Sequence, residues 1–151
     1  MKLSLAGWSL QKLFKASENP LKLIDYPRFT REQFGIEAVD LNNTFFESTK
    51  PDYLDKLRTA AADAKSTLLN LAIDEGGDLS DPHPTRRAIA IANYARWIPV
   101  AAYLGMPTIR ANSGGHTVDQ KDPKQLTAHT DCCIDSFRRL ADVGLKHGVT
   151  V

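Results

Sequence analysis

Cysteine is scarce in this 151-residue chain, and its only two residues of that type, Cys132 and Cys133, are adjacent. Neighbouring side chains on a helix point in different directions, so a disulfide between them is not expected, and no Cys-x-x-Cys or Cys/His spacing suggests a zinc site. Blocks of like charge are also missing. The 19 basic and 18 acidic residues are interspersed and leave a net charge of +1, with no run longer than Arg86-Arg87 or Arg138-Arg139. That distribution gives no electrostatic footprint for nucleic acid or for an anionic membrane. No apolar run approaches the roughly 18 residues of a membrane span. The leading Leu3-Ser4-Leu5-Ala6 is interrupted by Gly7-Trp8-Ser9 before it reaches the length of a secretion signal. A reducing, cytoplasmic setting is the expectation.

Several catalytic signatures are missing as well. Gly114-Gly115 is not followed by the Lys-Ser/Thr of a phosphate loop, no Gly-x-Gly-x-x-Gly opens a helix, and no Gly-x-Ser-x-Gly elbow occurs. His83 and His116 fall in connecting segments without a second ligand at metal spacing, so they read as solvated or capping side chains.

What is present is a rhythm. Strand-like segments recur at Leu3–Ser9, Ile36–Asn42, Ser66–Ile73 and Thr108–Asn112, with helix-like stretches between them, and a fifth begins at Gly148–Val151. This β-α-β-α order predicts a parallel α/β sheet. Thr30-Arg31-Glu32-Gln33 fits a capping box for a short helix that Gly35 ends. Pro51 fits the first turn of a second helix, along which Leu54, Leu57, Ala61 and Ala64 form one stripe. The nearly unbroken apolar run Leu68–Ile73, interrupted only by Asn70, predicts a strand covered on both sides. A long helix from about Pro84 to Leu104 should present Ala88, Ile91, Ala95, Ile98 and Ala102 on one face and break near Ala95–Ile98, because Pro99 removes a backbone bond there. A last helix within Gln125–His147 should bury Ile134, Phe137, Leu140 and Ala141.

Each strand hands over to a polar or glycine-rich turn, and in a parallel sheet those turns gather at one end. Four residues there are candidates for binding a small molecule. Arg110, in the middle of a short strand, must face solvent, a ligand or a carboxylate, and Asp74 or Glu75 could supply the last. Asp74 could orient a substrate hydroxyl or simply begin a loop. Asn112 could bond a hydroxylated ligand or form the turn before Ser113-Gly114-Gly115. Trp8 could offer a flat apolar plate to a sugar ring or pack at the strand end.

These same segments resemble the sugar phosphate isomerase/epimerase family, which has a xylose isomerase-like TIM barrel. The likeness rests on Leu3–Ser9, on Phe34-Gly35-Ile36-Glu37-Ala38-Val39-Asp40-Leu41-Asn42, on Leu71-Ala72-Ile73-Asp74, and most specifically on Arg86-Arg87-Ala88-Ile89 with Ala101 through Gly115. It implies a single domain over residues 1–151: a parallel (β/α) half-barrel, the first four βα units plus the start of strand five. It also implies metal-assisted isomerisation or epimerisation of a sugar or polyol by the complete barrel, with Mn, Mg, Zn or Co as the divalent metal. In that family the metal ligands follow strand five and come from later strands, so none is expected in this chain, no catalytic residue is assigned, and the chain alone is expected to be inactive. A barrel takes about 250 residues, so the chain reads as a truncated one. Unpaired strand edges and an uncovered sheet face then predict association with a second copy. Two further readings stand beside it: a flavodoxin-like binding or signalling domain, and a non-catalytic assembly protein that pairs through its fifth-strand edge.

Overall fold

The computed structural model describes residues 3–115 and 118–151, so His116 lies outside the described residues. Its sheet contains β1 (Leu5–Ala6), β2 (Ala38–Asn42), β3 (Thr67–Ala72) and β4 (Thr108–Arg110), all parallel and in the spatial order of the chain. That sequential order lacks the reversal of a doubly wound sheet, which removes the flavodoxin-like alternative. A fifth position is marked by Thr150, which bridges to Thr108 in parallel, with Ile109 N donating to Thr150 O at 2.9 Å.

The helices are α1 (Gln11–Phe14), α2 (Tyr26–Phe34), α3 (Pro51–Asp63), α4 (Pro84–Ala95), α5 (Ile98–Tyr103) and α6 (Pro123–His147). Strand one is shorter than its sequence suggested, because Gly7–Leu10 turns into a 3-10 helix that carries Trp8 off the sheet. The capping box at Thr30 does not form. With Pro27 in its first turn the helix starts at Tyr26, five residues earlier than a Thr30 cap would require, and Thr30 is buried in mid-helix, while Gly35 at φ +66° does end it. The long helix breaks where Pro99 demands, with α4 stopping at Ala95 and Pro99 in the first turn of α5.

The strands sort their side chains by face. Val39, Leu41, Leu71, Ile73 and Ile109 are buried with Leu54, Leu57 and Ala61 of α3 and with Tyr94, Trp97, Ile98 and Ala101 around the α4–α5 break. Successive strand residues point to opposite sides, so Asp40, Asn42, Ala72 and Arg110 occupy the other face. The pairing shifts between Val39 and Asp40, with Val39 opposite Leu68 and Asp40 opposite Asn70. Leu69 is the extra residue of this bulge and is 39% exposed, which corrects the expectation that strand three is covered on both sides.

Two helix faces also differ from the periodic reading. On α4 the buried residues are Ala90 and Tyr94, with Ala88 exposed, since the Tyr94 ring seats over Gly76 and fixes the rotation of the helix. On α6 they are Ser136, Leu140 and Gly144, leaving Ala141 exposed and Ile134 44% exposed. Ser136 Oγ donates to Leu79 O at 2.7 Å, which turns that polar side chain inward.

Gly144 is the contact point between α6 and the fifth-strand segment: a Cβ there would sit 2.4 Å from Val149 O. In a helix interior Gly→Ala ordinarily gains about 1 kcal/mol. Here Gly144→Ala should instead lose on the order of 1–3 kcal/mol through overpacking, read as a lower urea midpoint together with faster amide exchange at Thr150. Leu57→Ala, at a fully buried core position, should cost about 2–5 kcal/mol in the same measurement.

Candidate functional site

The carboxyl ends of β2, β3 and β4 meet at Asp74, the second residue after β3. Its backbone N–H donates to Asn43 Oδ1 at 2.8 Å, its Oδ2 accepts from Asn42 Nδ2 at 2.7 Å, and its Oδ1 is ion-paired to Arg110. The two asparagines come from the end of β2 and the turn after it, and Arg110 closes β4, so one carboxylate ties three strand ends together. Pairing sets this geometry, since Asn42 stands opposite Ala72 and Ala72 opposite Arg110. Asp74 keeps 18% of its side chain exposed and Arg110 50%, so both remain reachable from the inward side. Of the two partners the sequence offered Arg110, the structure selects Asp74.

Trp8 stands at the same end, after β1. Gly7, its neighbour, packs against Asn42 so closely that a Cβ would lie 2.8 Å from Asn42 Oδ1, and this contact joins β1 to the asparagine that holds Asp74. The Trp8 ring is 45% exposed and stacks on Phe45 (centroids 6.3 Å apart, 23° between planes), while Phe45 stacks on Phe14 at 4.2 Å. Trp8 therefore has one face packed against aromatic rings, and Lys15 Nζ lies 5.2 Å from its centroid. Asn112 is exposed just beyond β4, its carbonyl accepting from Tyr94 Oη at 3.4 Å. His83 is exposed at the start of α4.

Two features of this end were not among the four candidate residues. The first is Asp40, one layer below Asn42 on the inward face of β2. Its Oδ2 accepts from Ser4 Oγ at 3.3 Å, and its Oδ1 is sealed from solvent without a partner. Burial pushes this carboxyl above its ordinary range, with the Ser4 hydroxyl and the charge of Arg110 working the other way. Alternation along β2 would have placed Asp40 inward; its missing partner is not a sequence property. The second is a clasp between loops. Asp78 Oδ1 accepts from Ser80 N and Ser80 Oγ at 2.8 and 2.7 Å and from Gly115 N at 3.2 Å, and Ser80 Oγ lies 3.1 Å from His129 Nδ1. Gly114, at φ +85°, is required there because a Cβ would collide with the Asp78 carboxylate. The Asp78-x-Ser80 spacing of an Asx turn was the available signal.

Among the described residues no group of three or more His, Cys, Asp or Glu side chains is placed to hold an ion, and the two carboxylates of the inward face do not suffice. Cys132 and Cys133 are both free.

The match of residues 31–151 to the model of the xylose isomerase-like TIM barrel agrees with this sheet and its inward rim. The chain belongs to that family. Among solved structures, it resembles a D-psicose 3-epimerase determined in the presence of D-fructose, with a TM-score of 0.75 and 18% identity over 99% of this chain and 50% of the other. A second D-psicose 3-epimerase, from Clostridium cellulolyticum H10 and determined with D-tagatose, gives 0.72, 18%, 99% and 50%. A 3-keto-D-glucoside 4-epimerase from E. coli gives 0.72, 15%, 99% and 54%. The chain thus spans about half the length of these structures, and the likeness is one of fold: half of a xylose isomerase-like barrel. No curated protein matches the sequence.

The clasp makes a pH prediction. Burial alone would raise the Asp78 carboxyl, but the hydrogen bonds from Ser80 and Gly115 outweigh it and hold it below the usual value. The folded chain then binds that proton less tightly than the unfolded chain, so the contribution is complete above the unfolded carboxylate value near ~3.9 and is lost as pH falls through the folded one. Urea unfolding as a function of pH should show Asp78→Ala less stable than the parent by about 1 kcal/mol at pH 7, the gap closing as pH drops below about 4.

Proposed function

We propose that this half-barrel is the substrate-side wall of a sugar isomerase or epimerase. In this reading residues 1–151 fold as one unit, a sugar or polyol lies with its apolar face on Trp8, and its hydroxyls are read by Asp74, Arg110 and Asn112. The observation that carries the reading is the rim itself: an aromatic plate, supported from behind by Phe45 and Phe14, beside a carboxylate–guanidinium pair fixed by two asparagines. A flat apolar surface next to fixed donors and acceptors suits a ring with hydroxyls on its edge and C–H groups on its face.

The chemistry divides between what this wall does and what it lacks. Asp74 cannot swing freely, since both its oxygens and its own N–H are engaged, so it orients hydroxyls rather than shuttling protons between carbons. Arg110 presents its remaining N–H groups to a carbonyl or hydroxyl oxygen. The divalent metal and proton-transferring carboxylates of metal-assisted isomerisation are not supplied by these residues, and the 151-residue chain is assigned binding without turnover. The unpaired cysteines suit a reducing cytoplasm. Association with a second copy belongs to this reading, and Leu145, 80% exposed on α6, is compatible with it.

Trp8 provides the readout. Titrating D-fructose into the chain should change tryptophan emission through Trp8, because Trp97 is only 7% exposed. Trp8→Ala should abolish that change and weaken binding by up to about tenfold, the size of one aromatic stacking contact. Arg110→Ala should weaken binding similarly without loss of fold, as judged by circular dichroism. Binding that is indifferent to both substitutions would sink the proposal, and so would conversion of D-fructose to an epimer or aldose by the purified chain.

A further inference from the structure

The clasp that joins the two loops also forms one side of a cavity that the sugar-binding reading leaves unused. A space of about 240 Å³ lies between Ser80, the turn after β4 and the first half of α6. Ser80, His129 and Cys133 line its polar side, and Val118, Leu126 and Ile134 its apolar side. Trp8, Asp74, Arg110 and Asn112 take no part in it. Leu126, Thr130 and Ile134 follow at four-residue intervals along α6 and so share one face of that helix. Leu126 and Ile134 remain 45% and 44% exposed there.

The direction of the hydrogen bonds in the clasp decides what the polar side offers. Ser80, only 4% exposed, holds its Oγ 2.7 Å from Asp78 Oδ1 and 3.1 Å from His129 Nδ1. An ionised carboxylate can only accept, so the one hydroxyl proton of Ser80 goes to Asp78, and Ser80 Oγ accepts from His129 Nδ1–H. The lone pair of the neutral imidazole then sits on Nε2. This atom is not among the buried polar atoms sealed from solvent, so it is the ring nitrogen left for a ligand. A buried serine holds the ring and a carboxylate holds the serine, which fixes the acceptor before any ligand arrives. Beside it, burial and the charge of Asp78 push the Cys133 thiol up, so that wall is neutral. No cationic side chain lines the cavity among the described residues, and an anion would gain nothing there. A neutral molecule with a compact apolar body and one hydroxyl uses both sides.

We propose that this cavity is a binding site for small neutral alcohols, the hydroxyl donating to His129 Nε2 and the apolar body lying against Val118, Leu126 and Ile134. The inference is independent of the sugar reading at the rim.

The test compares cyclohexanol with cyclohexanone on the whole 151-residue chain at pH 8, where imidazole is neutral. The two probes share a six-membered ring, but only the alcohol has a proton to donate. Cyclohexanol should shift the Hε1 NMR resonance of His129 saturably, with a Kd on the order of 1 mM. Cyclohexanone should bind about fivefold more weakly, the worth of one hydrogen bond. His129→Phe keeps an aromatic ring and removes the acceptor, and should bring the two probes within about twofold of each other by ligand-detected NMR. Ile134→Ser, on the exposed face of α6, should weaken both probes by roughly three- to tenfold and leave their ratio intact. Equal affinities in the parent chain overturn the inference, as does a preference for the alcohol that persists in a folded His129→Phe chain. Binding that Ile134→Ser leaves unchanged lies elsewhere and overturns it too. So does the lack of any saturable shift up to about 50 mM. Should His129→Phe fail to fold, the parent comparison and Ile134→Ser decide the matter without it.

Discussion

One carboxylate organises the functional end of this chain. Asp74 follows β3, receives Asn43 and Asn42 from the end of β2, and holds Arg110 from the end of β4. Parallel strands end in turns that have no hydrogen-bonding pattern of their own, so something must fix them relative to one another. Here a single side chain does so with charge-assisted bonds, which are stronger and more directional than neutral ones. Neutralising Asp74 would leave Arg110 without its partner and Asn42, 2% exposed, with an unmet donor. Three turns would lose their common anchor at once.

The faces of the sheet explain why this anchor can exist. Against the helices the strands present Val39, Leu41, Leu71, Ile73 and Ile109, all buried, and that layer contributes most of the stability. The other face presents Asp40, Asn42, Asn70, Thr108 and Arg110, of which Asn42 and Arg110 meet at Asp74, Thr108 bonds Asn70, and Asp40 bonds Ser4. A barrel interior is usually filled by bulky branched residues, whereas these inward positions are polar or as small as Ala72. The bulge at Leu69 matters here. Without the extra residue, the alternation after Leu68 would put Asn70 among the helices and Leu71 in the inward layer.

Much of this was legible in the chain and some was not, for physical reasons. The element order, the start of α3 at Pro51, the break forced by Pro99 and the stop at Gly35 follow from local stereochemistry, which one residue specifies alone. The parallel α/β sheet followed from the spacing of the strands, and the half-barrel from the resemblance to the family. Helix faces were read less well. Ala88 and Ala141 fit an apolar period but lie outward, because alanine is too small to decide a rotation that Tyr94 over Gly76 and Ser136 on Leu79 O fix instead. At the rim, the Arg110 pairing was one of two options in the sequence, and the register of β3 against β4 chose between them. The unmet oxygen of Asp40 and the Asp78–Ser80–His129 clasp were invisible, since a missing partner and a contact across 49 positions of chain are properties of the fold.

The two inward carboxylates make a final point about how one strand layer separates two chemical roles. Asp74 and Asp40 are the same residue type, and each feels Arg110, yet only Asp74 touches it. Asp74 has its carboxylate shared between the Arg110 guanidinium and the Asn42 amide, with its backbone N–H held by Asn43, so it is a fixed acceptor. Asp40 has the Ser4 hydroxyl and little else, and burial pushes its carboxyl up. A wall built this way holds one carboxylate for geometry and leaves another with a single hydroxyl partner.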